Sequence, residues 1–312
     1  MRAFIFPGQG SQAIGMGQEM AKALPVAREV FQEVDEALGQ NLSRLMWEGD
    51  LKDLTLTENA QPALMTVSIA VVRALEKECG IAVGQVCAYV AGHSLGEYSA
   101  LTAAGALSLA DTARLLKTRG QAMQAAVPVG EGAMAALIGL DYEAAAQVAQ
   151  AAAEDEICTA ANDNAPGQVV ISGSRAAVER AMVLAREAGA KRALELPVSA
   201  PFHCALMEPA AKVMRAALDQ ITITQPSVSL VANVTAQPVS DPATIRDQLV
   251  AQVTGMVRWR ESVVNLAALG IDNFVELGAG KVLTGLVKRI NRDVKASHIA
   301  TMQDLENFAQ TL

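Results

Sequence analysis

Apolar residues recur along this chain in two patterns, short continuous runs and longer stretches with a helical period. The opening run, Ala3 to Phe6, stops at Pro7-Gly-Gln-Gly-Ser-Gln12, and a helical pattern then extends from about Gly15 to Leu38. Helical segments from about Gln61 to Cys79 and Leu109 to Ala126 flank a compact apolar strand, Cys87 to Ala91, which ends at Gly92. Strands separated by helices predict an α/β protein with a mainly parallel sheet.

Pro128, Gly130 and Gly132 mark a change of rhythm, and a domain boundary is placed there. Beyond it the pattern predicts a strand (Ala133 to Leu140), a helix (Tyr142 to Ala153), two strands (Ile157 to Ala161 and Gln168 to Ser172) around an Asn162-Asp-Asn-Ala-Pro-Gly167 loop, a helix (Arg175 to Ala188) and a strand (Arg192 to Pro197). That β-α-β-β-α-β order is ferredoxin-like. The α/β pattern then resumes: a helix near Met207 to Leu218, a strand near Val228 to Ala232, a helix near Trp259 to Ala268 and a strand from Asn273 to Leu277. The expected organisation is one large domain, residues 1–127 and 199–312, interrupted by a small domain at 128–198.

Composition narrows the function. The 312 residues are 51% apolar and 19% charged, which predicts an ordered globular protein. The net charge of −8, without an Arg/Lys-dense block, argues against nucleic acid as a partner, and 4% aromatic content argues against base-stacking platforms. The apolar stretch from Ala100 to Ala110 is well short of the roughly 18 residues that span a bilayer, and the run after Met1 is too short for a secretory core. Cys79, Cys87, Cys158 and Cys204 have no metal-ligand spacing. A soluble cytoplasmic protein with reduced thiols, no metal, no membrane partner and a monomeric state is expected.

The sharpest chemical signal is Gly92-His93-Ser94-Leu95-Gly96, set between a strand and a helix-like run. This is Gly-x-Ser-x-Gly in the context a nucleophile elbow needs: small residues allow a sharp turn that lifts the serine hydroxyl, and the following helix aims N–H groups at a developing oxyanion. A serine hydroxyl needs a base, and only three histidines exist. His93 adjoins Ser94, so its side chain should diverge from the hydroxyl. His298 lies in a polar C-terminal stretch and is expected to be exposed. His203, in Ser199-Ala-Pro-Phe-His203 at the predicted domain junction, remains. Asp111, Asp141, Asp155 and Asp163 lie in helix or small-domain contexts, and none is a convincing orienter. A backbone carbonyl or amide fixing the imidazole tautomer would make a Ser-His dyad.

Arg119 lies on the otherwise apolar Leu109–Ala126 helix and requires either a structural carboxylate or a ligand carboxylate or phosphate. The Gly8-Gln-Gly-Ser-Gln-Ala13 turn mimics a dinucleotide fingerprint, but Glu29, Glu33 and Asp35 fall inside helical periodicity where that reading needs an acid at a strand end. Gly278-Ala-Gly-Lys281 likewise lacks the flanking residues of a phosphate-binding loop.

Taken in order, Phe6-Pro-Gly-Gln-Gly-Ser-Gln12, Gln61-Pro-Ala-Leu64, Gly92-His-Ser-Leu-Gly-Glu97, Thr118-Arg-Gly120, Pro201-Phe-His203 and Gly278-Ala-Gly-Lys281 resemble the malonyl-CoA:acyl carrier protein transacylases of bacterial fatty acid synthesis over nearly the whole chain. The set is shared with acyltransferase domains of polyketide synthases. The resemblance implies an α/β-hydrolase-like large domain with an inserted ferredoxin-like small domain. It implies Ser94 as the acylated nucleophile, His203 as its base and later acid, and the backbone amides of Gln9 and Leu95 as the oxyanion hole. It further implies Arg119 as the grip on the free malonyl carboxylate, and the backbone carbonyl of Gln252 as the group orienting the histidine. Phe202 bears on pocket size, while Met123 and Asn162 resemble pocket-lining positions; His93 joins these substrate-side candidates.

The expected reaction is ping-pong transfer of malonyl from malonyl-CoA to the phosphopantetheine thiol of acyl carrier protein, through a malonyl-serine ester and without a cofactor. Lys281, Lys288, Arg289, Arg292 and Lys295 form a candidate docking set for an acidic carrier or, alternatively, a solvated helix face. A malonyl-loading subunit of a polyketide or malonate-decarboxylase system, or a serine thioesterase or hydrolase, shares the same elbow.

Overall fold

The computed structural model of the protein describes residues 1–311. Its strands in chain order are β1 (Arg2–Phe6), β2 (Tyr89–Gly92), β3 (Gly132–Ile138), β4 (Cys158–Ala165), β5 (Gln168–Ser174), β6 (Arg192–Glu195), β7 (Ser229–Val231), β8 (Pro238–Val239), β9 (Asn273–Leu277) and β10 (Lys295–Ile299). They form a six-stranded sheet in the order β10-β9-β1-β2-β7-β8 and a four-stranded sheet in the order β4-β5-β3-β6. The first is parallel except at β8, which returns antiparallel on β7. The second is wholly antiparallel and draws every strand from residues 132–195, giving the ferredoxin-like arrangement.

β1 and β2 occupy the middle of the large sheet, and the apolar runs that predict them are buried on both faces, as parallel strands covered by helices require. One covering helix, Thr57–Cys79, is buried along most of its length. It meets the helix Leu109–Ala125 at Gly120, where an added Cβ would lie 2.4 Å from the Glu58 Cα. Only glycine permits that approach, which brings Gln61 within reach of Arg119.

The helical pattern from Gly15 to Leu38 is two helices, Gln18–Ala23 and Pro25–Leu38. Pro25 has no N–H to continue the first helix and drives Leu24 to an extended conformation, while itself suiting the first position of the second. The expected Asn162 to Gly167 loop is also corrected: Asn162, Asp163 and Asn164 belong to β4, and the hairpin turn is confined to Pro166-Gly167. Pairing with β5 is irregular between Ala160 and Asn162 and again between Asp163 and Ala165. These polar residues are held in a strand by contacts outside their sheet. The Asp163 N–H donates to the Val257 carbonyl at 3.0 Å, and Val257 donates to Ala161 at 2.9 Å. The Asp163 carboxylate, 5% exposed, pairs with Arg260 at 2.8 Å.

β10 has no apolar run to announce it, because it is an edge strand with alternate residues exposed. His298 therefore sits in a strand, partly covered, with Nε2 4.0 Å from an Asp304 carboxylate oxygen. That corrects the expectation of an exposed histidine in an irregular tail.

Candidate active site

The turn after β2 is built on two glycines. A Cβ on Gly92 would lie 1.9 Å from the Gly96 carbonyl group, and one on Gly96 would lie 2.2 Å from the Phe6 carbonyl oxygen. Both sites exclude any side chain, so the chain reverses within four residues and enters the helix Gly96–Ala103 directly. Ser94 at the apex has φ 53°, a left-handed conformation that costs a non-glycine residue and persists where surroundings enforce it. Asn233, just past β7, supplies that enforcement: its Oδ1 accepts from the Ser94 N–H at 2.8 Å and its Nδ2 donates to the Gly92 carbonyl at 2.7 Å.

His203 is also left-handed, with φ 59°, and is 4% exposed. Its Nδ1 lies 2.9 Å from the Gln252 carbonyl oxygen and 3.1 Å from that of Gly255. Carbonyl oxygens only accept, so the proton resides on Nδ1, and Nε2 turns a lone pair to the Ser94 hydroxyl at 2.8 Å. Burial, reinforced by the charge of Arg119, pushes the imidazole down to about 3 against the opposing pull of the two carbonyls. It is neutral at physiological pH.

Arg119 is 1% exposed, and no ion pair among the described residues includes it. Its Nη1 donates to Gln61 Oε1 at 2.7 Å, and its Nη2 donates to Gln252 Oε1 at 2.8 Å and to the Ser94 hydroxyl oxygen at 3.1 Å. The Tyr98 ring lies 5.7 Å from the guanidinium carbon. Burial lowers its pKa, yet guanidinium remains protonated in proteins. Two neutral amides and a hydroxyl thus hold a buried cation whose charge has no carboxylate directly against it.

A cleft of about 280 Å³ brings Gln9, His93, Ser94, Leu95, Arg119, Met123, Asn162, Phe202 and His203 to one surface. Gln252 lies behind it on the helix Pro242–Thr254, reaching the imidazole through its carbonyl and Arg119 through its side chain. No hydrogen bond among the described residues uses the backbone N–H of Gln9 or Leu95. His93 has no hydrogen bond to the serine; its Nε2 is 2.8 Å from Asn164 Oδ1 on β4. The side chains of Gln61, Asn233 and Glu97 complete the network; Gln61 and Glu97 lie in the Gln61–Leu64 and Gly92–Glu97 motifs, but nothing local shows what they bind.

The remaining glycine-rich turn is closed to anions by the chain itself. After Gly278-Ala-Gly280, the backbone N–H groups of Leu283 and Thr284 donate to the Glu276 carboxylate at 3.1 and 2.7 Å. Among the described residues no group of His, Cys, Asp and Glu is arranged to hold a metal ion, and no helix is long and apolar enough to cross a membrane.

A serine hydroxyl on a strained turn at the carboxyl end of a parallel sheet, facing a neutral imidazole, defines the class of serine acyl-transfer enzymes on a hydrolase-like α/β fold. The acyl transferase domain family matches residues 3–311. The chain belongs to that family and, within it, to the malonyl CoA-acyl carrier protein transacylases. It is 49% identical over 311 residues to the Bacillus subtilis malonyl CoA-acyl carrier protein transacylase, covering 99% of this chain and 96% of the relative. A crystal structure of the acyl-carrier-protein-S-malonyltransferase of Bartonella henselae superposes with TM-score 0.97 at 55% identity, covering 99% and 98% of the two chains. A malonyl-transacylase solved in complex with a type II PKS acyl-carrier protein superposes with TM-score 0.96 at 41% identity, covering 100% and 99%.

Proposed function

We propose that the protein transfers malonyl from malonyl-CoA to the phosphopantetheine thiol of acyl carrier protein through an ester on Ser94, as the family does in supplying malonyl units for fatty acid synthesis. One observation carries this reading: a buried guanidinium without a carboxylate partner opens onto the same cleft as a serine hydroxyl 2.8 Å from an imidazole lone pair. His203 takes the hydroxyl proton as Ser94 attacks the thioester carbonyl, then donates it to the departing coenzyme A thiolate. The free N–H groups of Gln9 and Leu95 receive the tetrahedral oxyanion. Arg119 exchanges its contact with the Ser94 hydroxyl for the malonyl carboxylate, and the carrier thiol then reverses the sequence. Serine and imidazole chemistry of this kind needs no cofactor. Met123, Asn162, Phe202 and His93 shape the acyl pocket, with His93 acting from the wall, where Asn164 holds it. Residues 128–198 are read as the inserted domain and 1–127 with 199–312 as the catalytic body, consistent with two sheets that share no strand.

Incubation with malonyl-CoA and holo-acyl carrier protein distinguishes transfer from hydrolysis. Malonyl-carrier should account for most of the coenzyme A released; free malonate as the main product would instead identify a hydrolase.

Because the free imidazole lies far below its ordinary value of 6.5, kcat/KM for serine malonylation should change by less than about two-fold between pH 7.5 and 5.5. The expected result is a flat profile in coenzyme A release. A ten-fold fall centred on pH 6.5 would show an imidazole that titrates as in water.

Docking of an acidic carrier to a chain of charge −8 needs local positive surface. Lys281, Lys288, Arg289, Arg292 and Lys295 are exposed, and among the described residues none is in an ion pair; Arg289 donates to Gln168 Oε1 at 2.8 Å. Reversing charge at Lys288 and Arg289 should raise the carrier KM several-fold while malonyl loading from malonyl-CoA stays at the wild-type rate. An unchanged carrier KM would exclude this patch.

A further inference from the structure

Behind the cleft wall, Glu97 is wholly buried in the first turn of the helix Gly96–Ala103, and the acyl-transfer steps make no use of it. One carboxyl oxygen, Oε2, accepts from Gln252 Nε2 at 2.8 Å and from the Asn233 backbone N–H at 3.1 Å, while Oε1 has no partner. The side-chain amide of Gln252 touches Arg119 with its other end, Oε1 accepting from Nη2 at 2.8 Å.

An amide has a donor end and an acceptor end of nearly equal size, so its neighbours alone decide which end faces which group. The nitrogen of Gln252 is also 3.0 Å from the Ser94 carbonyl oxygen. That carbonyl and Glu97 Oε2 both require a donor, whether or not the carboxyl group carries a proton on its other oxygen. They fix Nε2 on their side and leave Oε1 for the guanidinium. The reversed amide would set NH₂ against an arginine donor and oxygen against two oxygens.

We propose that Glu97 is a positioning residue for acyl selectivity: it locks the Gln252 amide with its oxygen towards Arg119 and thereby aims the guanidinium at the carboxylate of the acyl substrate. This rests on the reading of Arg119 as the group that receives that carboxylate. The relay also accounts for an acid placed one amide away from the arginine. A carboxylate directly on the guanidinium would compete with the substrate for the same donors, whereas an amide orients them and yields to a charged ligand.

The test compares serine acylation by malonyl-CoA and acetyl-CoA in the full chain, reading kcat/KM for each from coenzyme A release and adduct mass. Glu97→Leu and Gln252→Met should each lower the malonyl-to-acetyl ratio by about ten-fold, chiefly through the malonyl KM. Their double variant should be no worse than the poorer single one, because both break one relay. Glu97→Gln should restore the ratio to within about three-fold of wild type, since its amide oxygen can accept both bonds. Equal loss of malonyl and acetyl transfer in Glu97→Leu, or strictly multiplicative losses in the double variant, would overturn the proposal. If Glu97→Leu does not fold, a wild-type ratio in Gln252→Met overturns it alone. Arg119→Ala, run alongside, separates the two ideas: an unchanged ratio there defeats the arginine reading itself, whereas a lowered ratio there with an unchanged one in Gln252→Met defeats only the relay.

Discussion

Ser94→Ala should fold normally, gain no malonyl mass from malonyl-CoA and lose transfer to carrier protein by on the order of 10⁴-fold or more. The chain conformation at this position is enforced from outside: Asn233 clasps the backbone of Ser94 and Gly92, and the close approaches at Gly92 and Gly96 that shape the turn do not involve the Ser94 side chain. Alanine keeps the N–H that Asn233 binds and removes only the hydroxyl between His203 and Arg119. Intact-protein mass spectrometry after mixing with malonyl-CoA reads the result directly. A malonyl adduct of undiminished yield on the alanine variant would move the nucleophile elsewhere and dismantle the mechanism.

Arg119→Ala has the second largest expected effect, and it falls on selectivity. A malonyl carboxylate entering the cleft without the guanidinium would be a buried charge with no opposite partner, whereas an acetyl group loses nothing. The malonyl-to-acetyl ratio of kcat/KM should fall on the order of 100-fold, with acetyl transfer changed far less. The variant also strands two acceptors, Gln61 Oε1 and Gln252 Oε1, so its unfolding midpoint should be measured beside its kinetics. Parallel loss of both acyl groups would assign Arg119 to holding the site together.

Features set by near neighbours were legible from the sequence. The elbow is one: its glycines at 92 and 96 answer to clashes within a few residues and with the adjoining β1. Regular elements with a clean apolar period were equally clear, as in the helix Trp259–Ala268 and the strand Asn273–Leu277, both found at their expected limits. The β4 segment misled because an Asn-Asp-Asn run has turn propensity, and its strand conformation depends on Val257, Arg260 and His93.

The dyad itself shows where each kind of information ends. Elimination among three histidines singled out His203, and the absence of a suitable acid left a backbone group to orient it. The family resemblance pointed to the carbonyl of Gln252, but its 2.9 Å approach from 49 residues away, and the second carbonyl of Gly255 beside it, follow from how the helix Pro242–Thr254 packs. For Arg119 the residues alone left a structural ion pair or a ligand carboxylate, and the resemblance favoured the ligand; the fold supplies it with Gln61 and Gln252, 58 and 133 residues distant. The sequence alone determined the turn, the serine it lifts and the alternation of elements, because sterics and apolar periodicity act between near neighbours. The tertiary structure alone decided which buried polar atoms satisfy one another, because each such bond joins segments whose proximity no local pattern encodes.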